Sequence, residues 1–325
     1  MVTNPIRPAD RAQLLIIGAI GMVIFLVVLA LALNTAVYGE VYVPQSDVNT
    51  DEEREIVRMH DAVERAVVGV TPTGPVEATD FDELTEAIHE DMAVWTETKS
   101  GVAAENGVAL QVNVVEVGFD SHIIQNESGP FTNHNGMETP WTLAETVDEI
   151  HRFEMSLESD SLEPNESCPD DSCFEIHITG DNGDTWRMNA STTNATEEIL
   201  VEVELSDGST ETCDTTDMEA ALNLTAGTFV NQDGTCSFTS FADDPGVTAP
   251  YTVEYVNPAN ASGTYQLSTS GKVVADTIEE DDRYDINASP RVDPEVVGVT
   301  MDVDIRTLTV GHHVILQIEA GEPDE

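Results

Sequence analysis

Val108-Ala109-Leu110-Gln111-Val112-Asn113-Val114 is the stretch on which the fold turns. Every second residue is apolar and the residues between are small or polar. That period of two marks a β-strand with one face in a core. Everything upstream has a different period, and most of the downstream chain keeps this one.

Immediately upstream the apolar residues recur at helical spacing. Phe81, Leu84, Ile88, Met92 and Trp95 form one stripe, opened by Asp80-x-x-Glu83 and stopped at Asn106-Gly107. A methionine and a tryptophan in such a stripe are core residues by default. An earlier helix begins at the capping box Thr50-x-x-Glu53 and carries Ile56, Met59, Val63, Ala66, Val67 and Val70. Thr71-Pro72-Thr73-Gly74-Pro75 separates the two helices.

Downstream, strands are expected at 153–157, 174–178, 186–189, 199–205, 228–230, 252–256, 264–268, 297–304 and 314–318. Thr179-Gly180-Asp181-Asn182-Gly183-Asp184 reads as a hairpin turn, because Asn-Gly tolerates positive φ; Asp207-Gly208 and Asp233-Gly234 mark further turns. The fold class is therefore α+β: an N-terminal transmembrane helix, a short helical region, then a mostly antiparallel, sandwich-like β domain. The expected divisions are a leader at 1–12, a membrane helix at 13–36, a stalk at 37–48, a helical region at 49–107 and the β domain at 108–325.

Farther upstream, residues 14–33 run without a charge. At ~1.5 Å per residue, twenty helical residues cover roughly 30 Å, the hydrocarbon thickness of a bilayer. Arg7 and Arg11 precede the run, whereas Glu40, Asp47, Asp51, Glu52 and Glu53 follow it. Basic flanks stay in the cytoplasm, which puts the N-terminus inside and the bulk of the chain outside. The lipid bilayer is thus the first expected partner.

Composition points the same way. Asp and Glu number 62 against 12 Lys and Arg, a formal charge of −50 that leaves no basic patch for nucleic acid. With 40% hydrophobic residues the chain can still fill a core, so the charge reads as a halophile's hydrated surface, not as disorder. Four cysteines, Cys168, Cys173, Cys213 and Cys236, lie on the expected external side, where disulfides persist. Each of the pairs Cys168–Cys173 and Cys213–Cys236 brackets a polar, turn-rich stretch, which makes local pairing the expectation. Seven Asn-x-Ser/Thr sequons, at Asn126, Asn165, Asn189, Asn194, Asn223, Asn260 and Asn287, are glycosylation candidates on an external surface.

Arg11-Ala12-Gln13 abutting the apolar run resembles the leader of archaeal type IV pilins and archaellins, with Ala12 where Gly is usual. The wider layout resembles uncharacterised haloarchaeal single-pass membrane proteins with such N-termini, through Arg11-Ala12-Gln13-Leu14-Leu15, the stretch 103–114 and the terminal Gly321-Glu322-Pro323-Asp324. The resemblance implies cleavage between Ala12 and Gln13. It also implies packing with other pilin-like subunits, for which Gly18, Ala19 and Gly21 give close helix approach. Two rivals are a plain uncleaved anchor and a secretory signal cut after Ala30-Leu31-Ala32.

No catalytic motif stands out. His89-Glu90 lacks the second histidine of a zinc-protease helix, and His312-His313 on a strand would point to opposite faces. The Asp181–Asp184 turn lacks the bidentate glutamate of a calcium loop. No cofactor and no metal is expected. The expectation is a structural, pilin-like surface protein; the alternatives are an unassembled surface binding or adhesin module and, behind it, a surface enzyme.

Overall fold

The computed structural model describes residues 50–319, apart from 78, 134–135, 137–138, 171, 194–197, 216–217, 232–233, 273–283 and 286–287. The apolar run at 14–33, the leader residues Arg11, Ala12 and Gln13, and Gly18, Ala19 and Gly21 lie outside the described residues. No helix among the described residues is long and apolar enough to cross a membrane.

Two helices come first among the described residues, α1 (Thr50–Val70) and α2 (Phe81–Glu105). The Asp80 side chain accepts the Glu83 amide at 2.6 Å, so the capping residue read from sequence is the one that starts α2. Gly107, at φ +74°, turns the chain out of the helix, and its amide reaches back to the Ala104 carbonyl.

Fourteen strands come after them: β1 (Ala109–Pro130), β2 (Trp141–Val147), β3 (Ile150–Glu158), β4 (Phe174–Thr179), β5 (Thr185–Thr192), β6 (Ile199–Glu204), β7 (Thr210–Thr215), β8 (Glu219–Asn223), β9 (Thr228–Asn231), β10 (Gly234–Ser237), β11 (Tyr251–Val256), β12 (Ser262–Ser270), β13 (Arg291–Arg306) and β14 (Gly311–Glu319). They form an eight-stranded sheet in the order β10-β9-β8-β3-β12-β1-β13-β14 and a six-stranded sheet in the order β2-β11-β4-β5-β6-β7. Every ladder in both sheets is antiparallel. Over the described residues the chain is α+β, mostly antiparallel, with two α-helices.

The core explains the layout. On β1, Leu110 and Val112 point inward, and so do Phe119 and Ile123, although the two pairs differ in parity. The ladder with β13 shows why. Val114 faces Met301 and Glu116 faces Thr300, so Val115 is an extra residue; farther on, Gly118 faces Gly298 and Phe119 faces Val296, so Val297 is extra on the other strand. Each bulge lets the alternation change parity while the same physical face stays buried.

That inner face has two covers. The helices lie over its first part: α2 packs on β1, the Ser100 hydroxyl donates to the Leu110 carbonyl at 2.8 Å, and Phe81 meets Phe119 edge-on at 5.2 Å. The six-stranded sheet lies over the rest. Phe131 sits 5.2 Å from Phe174 of β4, and Tyr265 of β12 meets Tyr255 of β11 edge-on at 5.5 Å. The helices and both sheets share one core, in a compact unit of Arg54–Glu325. From Arg54 onward the helical residues and the strands thus belong to one compact unit.

The Asp181–Asp184 stretch is the β4–β5 hairpin turn. Gly183 has φ +83°, and the Gly180 amide bonds to the Asp184 carbonyl at 2.9 Å.

Candidate functional site

Because Phe119, Ser121 and Ile123 face the core, Asp120 and His122 must face the other side of the eight-stranded sheet. His122 lies opposite Ser268 on β12 and Asp293 on β13, and Asp120 lies opposite Ser270 and Glu295. Three neighbouring strands thus bring a polar row together.

In that row His122 Nδ1 is 2.9 Å from the Ser268 hydroxyl, and its Nε2 pairs with the Glu295 carboxylate. The His122 side chain is 12% exposed, so the contacts are only partly open to water. Beside it, His151 Nε2 lies 3.1 Å from Asp120. Burial raises the Asp120 carboxyl above its usual range; His151 and the Gly271 amide oppose that shift.

A serine, a histidine and an acid in hydrogen-bonded sequence invite comparison with a nucleophilic triad. Acyl transfer would need that serine open to a substrate. Ser268 is 4% exposed and lies mid-strand, with ladder partners on both sides, Arg152 and His122. Its place in both ladders keeps it within the sheet. The row is a hydrogen-bonded run from Ser268 through His122 to Glu295.

A second polar group closes the edge of β13. Arg291 Nε lies 3.0 and 3.1 Å from the two Asp293 carboxylate oxygens, and its guanidinium reaches Glu77 at 3.2 Å. Asp293 raises the pKa of Arg291 further, against the opposing effect of burial. Glu77 sits on the connection between α1 and α2, which hydrogen-bonds the same strand through the Val76 amide and the Pro294 carbonyl at 2.8 Å. Between this connection and the bulged strands runs an open groove lined by Pro72, Gly74, Glu116, Glu295 and Glu319.

Metal-ligating geometry is sparse. Among the described residues only His60, Asp61 and Glu64 bring three ligand atoms within 4.8 Å of one another, on α1, where Asp61 and Glu64 are exposed. His312 and His313 do not join: His313 pairs with Asp302 at 2.7 Å, and His312 is its neighbour along the edge strand β14.

The residues read from sequence fall in several places. Disulfides join Cys168 to Cys173 and Cys213 to Cys236, the second bridging β7 and β10. Those two strands belong to different sheets and each is an edge. Of the sequons, Asn126 and Asn165 are exposed, Asn189, Asn223 and Asn260 are partly buried, and Asn194 and Asn287 lie outside the described residues. Sequence reasoning missed His122, Ser268 and Glu295, which are 146 and 173 positions apart in the two contacts.

No protein-family profile, no curated protein and no solved structure matches the chain.

Proposed function

We propose that the chain is a membrane-anchored, pilin-like surface protein whose β-rich body projects outside the cell. The observation that carries this reading is the pair of closed disulfides in a body that follows a twenty-residue uncharged apolar run. Disulfides persist in oxidising compartments, and the Arg7/Arg11 flank keeps the preceding end in the cytoplasm. The acidic surface fits a salt-rich exterior. The burial of Ser268 in mid-strand favours a structural role over hydrolysis.

In this proposal residues 1–12 are a leader, cut between Ala12 and Gln13, and residues 13–36 are the membrane helix. Gly18, Ala19 and Gly21 let that helix pass from lipid into a bundle of like helices, where close packing replaces acyl chains. The test is mass spectrometry of the N-terminal peptide of the native protein, with protease shaving of intact cells. A chain beginning at Gln13 whose body is shaved supports the proposal. An N-terminus at Met1 or Val2, with a monomeric body, favours an unassembled surface binding module. The open groove beside Glu116, Glu295 and Glu319 is the feature that would serve that second reading.

A further inference from the structure

We infer that Asn126 is the N-glycan acceptor among the five described sequons. This rests on the proposed location outside the cell, where such sugars are attached.

Three observations separate Asn126 from the others. First, the ladder between β1 and β12 breaks there: Gln125 faces Tyr265, the next pair is Gly129 with Gly263, and only Thr264 stands opposite residues 126–128. The pairing of β1 with β13 has already ended at Ile124. The whole sequon Asn126-Glu127-Ser128 therefore lies outside both ladders, and all three residues are exposed. Second, the other described sequons are held in paired strands, in short helices or by hydrogen bonds. Asn223 Nδ2 donates to Glu154 at 3.0 Å while its Oδ1 accepts the Ala226 amide at 2.8 Å. Asn260 Nδ2 donates to the Ser172 carbonyl at 2.5 Å. Asn189 is half-buried in β5 between β4 and β6, and Asn165 is wound into the short helix Asn165–Asp170. Third, Asn126 opens onto a broad groove on the outer sheet face, lined by Ser156, Thr264, Gln266, Asn223 and Val230. Hydroxyl and amide groups there suit sugar hydroxyls, and a bulky chain has room.

The chemistry needs the nitrogen to be free. Asn126 Nδ2 attacks C1 of an oligosaccharide carried on a polyprenyl phosphate or diphosphate. The C1–O bond breaks, the N–C1 bond forms, the lipid phosphate leaves, and the amide gives up one proton to a base of the transferase. An amide nitrogen already donating within the fold, as at Asn223 and Asn260, must first lose that bond. The Ser128 hydroxyl, required two residues on, contacts only the partly exposed Glu158 side chain among described partners, and a transferase can displace it.

The experiment is glycopeptide mass spectrometry of the full-length protein purified from native membranes, with wild type, Asn126→Gln and Ser128→Ala compared. Wild type is expected to carry sugar on Asn126 in most molecules, with Asn165, Asn189, Asn223 and Asn260 bare. Either substitution should lower the intact mass by the whole glycan at that position. Ser128→Ala keeps the asparagine, so it separates sugar transfer from any loss of the side chain. An unmodified Asn126, or occupancy of any of the other four described sequons in its place, overturns the inference. If intact-cell proteolysis shows the body outside while Asn126 is bare, the inference falls and the proposed function stands. If the body proves to be inside, both fall.

Discussion

Val115 of β1 and Val297 of β13 are each the unpaired residue of a bulge, set in adjacent strands so that the two shifts compensate. Both are exposed, at 59% and 39%, whereas Val112, Val299 and Met301 near them are buried. Deleting Val115 should therefore straighten the ladder and leave Leu110, Val112 and Phe119 facing the core, at a cost of about 1–3 kcal/mol. Deleting Asn113 should turn Leu110 and Val112 outward and cost more than about 4 kcal/mol. Denaturant unfolding of the two deletions decides it; equal losses would refute the account of the bulge.

The Arg291–Asp293 pair is nearly sealed, with side chains 5% and 2% exposed. Arg291→Met should leave a buried carboxylate without its guanidinium and cost about 3–5 kcal/mol. Arg291→Met with Asp293→Leu should recover much of that loss, since two apolar side chains need no partner there. A double variant as unstable as the single one would mean that the cation serves Glu77 and the α1–α2 connection more than Asp293.

Asp244 gives the expected acid limb of stability. Burial alone would raise its carboxyl, but hydrogen bonds from the Ser206 hydroxyl, the Ser206 amide (2.7 Å) and the Gly246 amide (3.0 Å) outweigh that and hold it below 3.8. A depressed acid in the folded state contributes stability that is present above the unfolded value of about 3.8 and lost as pH falls through the folded value. Asp244→Asn should remove that contribution, lowering neutral-pH stability by roughly 1–3 kcal/mol and flattening the slope below pH ~4. Thermal melts between neutral pH and pH ~2 would show it. An unchanged slope would assign the acid sensitivity to other carboxylates.

Salt should matter more than any single residue. With a formal charge of −50, the body should lose structure on transfer from molar salt to ~0.1 M, as the Debye length grows from ~3 to ~10 Å. Circular dichroism on desalting is the measurement. A spectrum that does not change would sink the halophile reading of the composition.

Much of the sheet was legible because its strands alternate cleanly: Phe153, Met155 and Leu157 on β3, Ile176 and Ile178 on β4, and Val201 and Val203 on β6 all point inward. The length of β1 was not legible. Its reading stops at Val114 because Val115-Glu116 breaks the parity, and a bulge looks the same in sequence as the end of a strand. β2 was missed because Thr146 takes φ +59° within it, and β7 because Cys213 is its lone buried apolar residue. The polar row was illegible for a different reason. His122, Ser268 and Glu295 meet only if β12 and β13 flank β1, and no local pattern encodes strand order. The first disulfide could be read because Cys168 and Cys173 lie five positions apart around a polar turn, whereas the second closes across β8 and β9, which return the chain to β7.

β1 also determines how the body would bear a load. Consider a pull delivered at Ala109, the first residue of β1, along the axis of that strand. β1 is laddered to β13 from Ala109 to Ile124 and to β12 from Asp120 to Pro130. Its hydrogen bonds lie across the direction of the pull, so they share the force together and do not break in succession. The molecule meets a tug from that end as a lap joint and not as a zip.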